Sequence, residues 1–208
     1  MKQDKHPHPT LRVKVYNRGG YHFTHKDMVV DHLKYWTPIL AQYIGTPCNI
    51  LEIGSLQGNS AIYWLNNILT HYDSNLWCIE PFGRTKRVPD RELFLENINK
   101  TGQVDKVHLL EMTSDDFFSN PDNGLIPQLD IIYIDGSHEA DFVARDCVNC
   151  YHYCKIGGII IMDDYKMPRV FADDKIGPKP SIDNFLENYA DNLEVLHMGY
   201  QVIVKKIR

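Results

Sequence analysis

An α/β fold, doubly wound around a mostly parallel seven-stranded sheet with a C-terminal antiparallel hairpin, is predicted by three observations. Short apolar runs at 49–54, 75–80, 107–111, 129–134 and 157–162 alternate with helix-length segments at 58–70, 90–100 and 139–154. Alternation of this kind implies parallel strands with crossover helices on both faces. The chain then ends on Leu193–Met198 and Gln201–Ile207, two strand-like runs with only Gly199-Tyr200 between them, which reads as a closing hairpin. Finally, the first apolar run feeds a glycine-containing turn and then a helix start, an arrangement of Rossmann-like character.

Taken in order, residues 1 to about 20 are polar and punctuated by Pro and Gly, and read as a loosely held arm, bounded at 1–24 ahead of a single domain at 25–208. From Asp27 to Ile44, Met28, Val29, Leu33, Trp36, Ile39, Leu40 and Tyr43 recur at helical spacing. Ile50, Leu51 and Ile53 form the first strand, and Gly54-Ser55-Leu56-Gln57-Gly58 the turn after it, with Asn59 or Ser60 able to cap the next helix. Leu76-Trp77-Cys78-Ile79 forms the second strand and ends in Glu80. In CVNCYHYC, the C-x-x-C spacing invites a zinc reading, but Val143, Cys147, Cys150, Tyr151 and Cys154 make one helical stripe suited to the core. The longest irregular stretch, Tyr165 to Pro180, is long enough to be a functional loop.

Composition narrows the function. A chain of 208 residues, 43% hydrophobic and 24% charged, suits one globular domain with a substantial core. A net charge of −5 gives no basic surface for nucleic acid, so no nucleic-acid partner is expected. No apolar run approaches the roughly 20 residues of a membrane span, so no membrane partner is expected either. The start, MKQDKHPHPT, lacks the apolar core of a signal peptide, and the 5 cysteines read as reduced thiols, which together imply a cytoplasmic location. A homo-oligomer is compatible with all of this, and no feature decides it.

The chemistry concentrates at strand ends, where open α/β sheets bind ligands. At the first turn, Gly54 and Gly58 let backbone approach a ligand, and the helix start offers free N–H groups. An acid at the end of the second strand, Glu80, is suited to gripping ribose hydroxyls. The spacing is Gly-x-x-x-Gly and not Gly-x-Gly-x-x-Gly, which points to an adenosine compound without a pyrophosphate. Asp135 follows Ile131–Ile134, and Asp163-Asp164 follows Ile159–Met162. If those strands are neighbours, the three carboxylates converge, which is costly unless a cation such as Mg²⁺ bridges them or a proton is shared. Capping of the following loop is the plainer role for Asp163 and Asp164. His138, in Asp-Gly-Ser-His at the start of a helix, is disfavoured as a cation and can serve as general base, or simply cap that helix. Lesser candidates are the terminal His6 and His8, the run Arg84-Thr85-Lys86-Arg87, and Tyr21, His22, His25 and Trp36, which either reach over the site or pack on the sheet.

LEIGSLQGNS, Glu80, TSDDFF, LDIIYIDGSH and GGIIIMDDY together resemble class I S-adenosylmethionine-dependent methyltransferases, most nearly the metal-dependent small-molecule O-methyltransferases of the macrolide-sugar and catechol type. The resemblance spans roughly residues 45–207 and implies S-adenosyl-L-methionine and Mg²⁺ as cofactors and a small molecule with a hydroxyl as methyl acceptor. Carried over residue by residue, it implies that Gly54 and its neighbours Glu52, Ser55, Gly58, Asn59 and Ser60 face the methionine part, and Glu80 the ribose. Ser114 or Asp115 would lie near the adenine, with Asp135 also against the cofactor. Asp135, Asp163 and Asp164 would hold the metal, and His138 with Asp135 would be catalytic. Catechol-type enzymes commonly carry Asp-Asn where Asp163-Asp164 stands and lysine where His138 stands, so the sugar-hydroxyl type is nearer. The competing readings are a nicotinamide-dependent oxidoreductase, opposed by the glycine spacing and the terminal hairpin, and a methyltransferase-like domain that binds without catalysis.

Overall fold

The computed structural model describes residues 16–24, 29–83, 89–120, 126–167 and 176–208. His6, His8, His25 and the run 84–87 lie outside them, as does part of the 165–180 stretch. Seven strands form one sheet: β3 (Asn49–Ile53), β4 (Asn75–Ile79), β5 (Val107–Leu110), β6 (Leu129–Ile134), β7 (Cys154–Met162), β8 (Leu193–Met198) and β9 (Val202–Lys206). Their spatial order is β5-β4-β3-β6-β7-β9-β8, parallel from β5 to β7, with β9 antiparallel to both β7 and β8. This is the expected doubly wound, Rossmann-like sheet with its antiparallel end. Strand order reverses between β3 and β6, which opens a crevice at their carboxyl ends.

The apolar runs are continuous because both faces are covered. Ile50, Leu76, Ile131, Ile159 and Ile161 pack on one face against α1 (Leu33–Leu40), α2 (Asn59–Tyr63) and α3 (Asp90–Lys100). Leu51, Ile79, Ile132, Ile160 and Met162 pack on the other against α4 (Ser114–Ser119), α5 (Ala140–Tyr153) and α6 (Lys179–Asn188). Each such fully buried aliphatic side chain contributes about 1.5–3 kcal/mol by leaving water. Cys147 and Cys150 belong to the core face of α5, and Cys154 is the first residue of β7. All are buried free thiols, and burial pushes each of them up, so they pack and do not ligate.

Several local expectations are corrected. The segment up to Arg18 is not all loose arm: β1 (Tyr16–Arg18) and β2 (Tyr21–Phe23) form a hairpin that docks on α3. Asp27 and Met28 lie outside the described residues; over the rest of the helix expected to Ile44 the structure has α1, flanked by 3₁₀ turns at Val29–Asp31 and Ala41–Tyr43, with Pro38 inside it. The helix expected over 58–70 is α2 followed by a π-helical turn at Trp64–Ile68. The Tyr165–Pro180 stretch gives way to α6 at Lys179, with a proline in its first turn where no N–H is needed. The terminal turn includes Gln201, because β8 ends at Met198 and β9 begins at Val202. Among the described residues no helix is long and apolar enough to cross a membrane.

Candidate active site

The ladder of the sheet continues one residue past four strands. Gly54 N–H donates to Ile79 O (2.9 Å), Glu80 N–H to Leu110 O (3.1 Å), Asp135 N–H to Ile53 O (2.9 Å) and Asp163 N–H to Ile134 O (3.0 Å). Gly54, Glu80, Asp135 and Asp163 are thus set in a row by backbone alone, along the rim of a cavity of about 530 Å³ that all four line. Gly54 has φ +89°, and a Cβ there would stand 2.1 Å from the Asp135 carbonyl oxygen. Only glycine permits these two strand ends to approach so closely.

At one end of the cavity stands Glu80, 4% exposed. Its Oε2 accepts from Leu56 N–H (2.9 Å) and its Oε1 from Phe82 N–H (2.8 Å). Leu56 and Phe82 hold the left-handed backbone, at φ 45° and 53°, that L side chains rarely adopt. The strain turns both N–H groups onto one carboxylate, and each oxygen keeps a lone pair for a ligand hydroxyl. Ser55, Asn59 and Ser60 also line the cavity. Gly58 does not: it caps α2 in the left-handed conformation and lies under Phe94. Glu52 does not either, since it is fully enclosed behind Ser60, whose Oγ donates to Glu52 Oε1 at 2.5 Å. Burial pushes its acid up to about 7.

Ser114 and Asp115 line the opposite wall, with Phe142 beside them. Both Asp115 oxygens accept from Arg145 (2.8 and 2.8 Å), and the guanidinium also lies over the Phe142 ring at 4.6 Å. The hydrogen bond from Arg145 holds the half-buried Asp115 carboxyl below its ordinary range.

The remaining acids gather at the other end. Ligand atoms of Asp135, His138 and Asp164 all lie within 4.8 Å of one another. His138 Nε2 is 2.9 Å from Asp164 Oδ2, and Tyr200 donates its hydroxyl to Asp164 Oδ1 (2.8 Å). Asp163 differs from the expectation. Its carboxylate is turned into hydrogen bonds from Gln201 Nε2 (2.6 Å), Asp164 N–H (2.7 Å) and the Tyr133 hydroxyl, which also reaches Asp135 (3.0 Å). Burial, reinforced by Asp163 and Asp164, pushes the Asp135 acid well above the usual carboxylate range. Burial likewise raises Asp163. Burial also acts to raise Asp164, but the hydrogen bond and charge of His138, helped by the Tyr200 hydroxyl and His32, together outweigh it and hold that acid low. Asp164 sits at φ 60° and, with Leu56, is a second strained residue on the cavity wall. Two carboxylates and an imidazole, with a third carboxylate behind, fit a divalent cation, which would offset their mutual repulsion.

Sequence reasoning missed Tyr133, Tyr200 and Gln201. Tyr133 reads as one more apolar strand residue, Tyr200 as a turn residue and Gln201 as the start of the last strand, with no motif around either. Trp36 lies beneath the acids and not over them, fully buried against Trp64 at 4.5 Å between ring centres. Tyr21 and His22 pack toward Asn66, Glu96 and Asn97, away from the cavity.

No curated protein sequence matches the chain. Solved structures share its fold. An O-methyltransferase from Bacillus cereus in complex with SAH is 18% identical, over 88% of this chain and 83% of that one, with a TM-score of 0.65. The O-methyltransferase TomG from Streptomyces achromogenes, involved in tomaymycin synthesis and solved with SAM, is 15% identical over 86% and 80% of the two chains, with a TM-score of 0.64. The MycE methyltransferase of mycinamycin biosynthesis, in complex with Mg, SAH and mycinamycin VI, is 13% identical over 85% of this chain and 49% of its own, with a TM-score of 0.62. The family model described as a methyltransferase domain matches residues 51–165, more than half of the chain and every strand from the first glycine turn to the paired aspartates, so the chain belongs to the methyltransferase-domain family.

Proposed function

We propose that this protein transfers the methyl group of S-adenosylmethionine to a hydroxyl of a small molecule, with a divalent cation, Mg²⁺ by the chemistry of its donors, at Asp135 and Asp164. One observation carries the reading: a single cavity has an oriented, buried carboxylate at one end and a carboxylate–imidazole cluster at the other. Glu80 is suited to a ribose, because both its oxygens are fixed and each can still accept a hydroxyl. The Gly54 turn brings backbone against the methionine part, and Ser55, Asn59 and Ser60 offer polar groups there. Ser114 and Phe142 form the wall for the adenine ring, while Asp115 serves it through Arg145 as much as by itself.

Methyl transfer needs little covalent help, because a sulfonium is already a good leaving group. Alignment and a more nucleophilic oxygen supply most of the catalysis. A bound cation lowers the pKa of a hydroxyl placed on it. The chain's own contribution is proton handling. The His138–Asp164 pair takes the hydroxyl proton, and Asp164, hydrogen-bonded to Tyr200, stabilises the imidazolium that results. Tyr133 and Gln201 hold Asp163 as a fixed acceptor beside Asp135.

Calorimetry with S-adenosylmethionine, its demethylated product and NAD separates this reading from its rivals. Binding of the first two and not of NAD is expected. Binding of NAD instead would overturn the proposal in favour of an oxidoreductase. Methyl transfer to pooled hydroxyl compounds, followed by mass spectrometry, then separates an enzyme from a silent binding domain.

A further inference from the structure

The acids of the site are held from behind by residues outside the stretch 51–165 that matches the family. Trp36 Nε1–H donates to Gln201 Oε1 at 2.8 Å, and Gln201 Nε2 donates to Asp163 Oδ2 at 2.6 Å. An indole can only donate, so its bond to the oxygen fixes which way the amide faces and leaves only the NH₂ group for Asp163. Trp36 is in turn immobilised by stacking on Trp64, with the edge of Tyr133 at 5.4 Å between ring centres. Trp36 is fully buried and Gln201 only 2% exposed, so water does not compete for these bonds. Successive residues of one turn therefore hold successive acids: Tyr200 donates to Asp164 and Gln201 to Asp163.

A buried amide is costly unless its hydrogen bonds are met, and among the described residues they are met by an indole and a carboxylate of the acid cluster. An apolar side chain would fill a purely structural position in that turn at less cost. We propose that Gln201, oriented by Trp36, is a positioning residue for the cation-binding acids. It fixes Asp163, and through the shared hydroxyl of Tyr133 it sets the orientation of Asp135. The inference rests on the reading of this cluster as a cation site. Partners of this kind behind metal-binding carboxylates typically govern cation affinity by about 10–100-fold.

The test uses the full chain and needs no acceptor. Wild type, Gln201→Leu and Trp36→Phe are titrated with Mg²⁺ and with Mn²⁺ by calorimetry, with S-adenosylmethionine titrated as a control on the integrity of the cavity. Gln201→Leu should bind both cations about 10–100-fold more weakly, with cofactor affinity unchanged. Trp36→Phe should shift cation affinity in the same direction, because the amide is no longer oriented. Wild-type cation affinity in both variants would overturn the inference while leaving the cation site standing. A wild-type protein that binds cofactor but no cation would overturn both. One measurement avoids dependence on the folding of Gln201→Leu. The indole N–H resonance of Trp36, assigned by its loss in Trp36→Phe, should move when Mg²⁺ is added to wild type, and a resonance that stays fixed would also overturn the proposal.

Discussion

Glu80 and Glu52 show how differently two buried acids are treated within one site. Glu80 is held by two backbone N–H groups aimed from strained residues and faces the cavity. Its replacement by alanine leaves those donors and the ligand hydroxyls unpaired, at a cost of about 1–3 kcal/mol, so calorimetry should show cofactor binding weakened by roughly 5- to 150-fold. Glu52 has one hydrogen bond, from Ser60, in a fully enclosed position, and burial pushes its acid up to about 7. The folded state therefore prefers the protonated form. That preference stabilises the fold in full below the unfolded value near 4.5 and is lost as pH rises through about 7. Glu52→Gln should raise the melting temperature of the ligand-free protein at pH 8 and flatten its fall between about pH 4.5 and 7, an effect of about 3 kcal/mol. A melting temperature at pH 8 no higher than that of wild type would contradict this account.

At the scale of elements, the β1–β2 hairpin is joined to the first glycine turn through two side chains, Gln57, whose Oε1 accepts from Thr24 N–H at 2.8 Å, and Asn97. Asn97 of α3 accepts from His22 N–H (2.8 Å) and donates to His22 O (2.8 Å) and Gln57 O (3.0 Å), fully buried. Asn97→Ala should cost about 1–3 kcal/mol of stability and remove hydrogen-exchange protection from the His22 amide, with a smaller loss of cofactor affinity because Gln57 precedes the cap of α2. This hairpin was invisible in the sequence, since two three-residue strands of mixed polarity around Gly19-Gly20 carry too little period to read. The parallel strands were legible because burial on both faces leaves unbroken apolar runs, and their ends were legible because each is followed by a glycine or an acid. The helix α6 was obscured by Pro178 and Pro180, which mark a helix start as readily as a loop. The helix α4 had a usable signal, Thr113 capping the N–H of Asp116 at 3.1 Å, within a motif valued instead for its acids. Within the site, positions set by backbone could be read from strand ends. Side-chain direction could not, which is why the enclosure of Glu52 and the hydrogen bonds that occupy the Asp163 carboxylate could not be read, and Tyr133, Tyr200 and Gln201 went unnoticed.

Across the whole molecule, the sheet separates two tasks along one row of strand ends. On the proposed function the ends of β3 and β4 would serve the cofactor, while those of β6 and β7 carry the acids, and the reversal of strand order between β3 and β6 opens the crevice that both line. The two halves should therefore fail independently. Asp135→Asn, or thorough chelation, should abolish turnover and, for the variant, weaken Mg²⁺ binding, with S-adenosylmethionine still bound. Turnover that survives chelation would recast the acids as groups that orient the acceptor directly. His138→Ala tests the proton path alone. General-base help is typically worth about 10²–10⁴-fold, so turnover should fall by about that much while cofactor affinity holds. The loss of His138 also removes the larger of the influences that keep the Asp164 acid low, leaving only Tyr200 and His32 to oppose burial. The Asp164 acid should then titrate at higher pH than in wild type, and residual activity should fall off at a less acidic pH than the fold itself requires. A profile that keeps its wild-type acid limb at nearly full turnover would assign the proton to a carboxylate, with Asp135, already raised by burial, as the group to replace next.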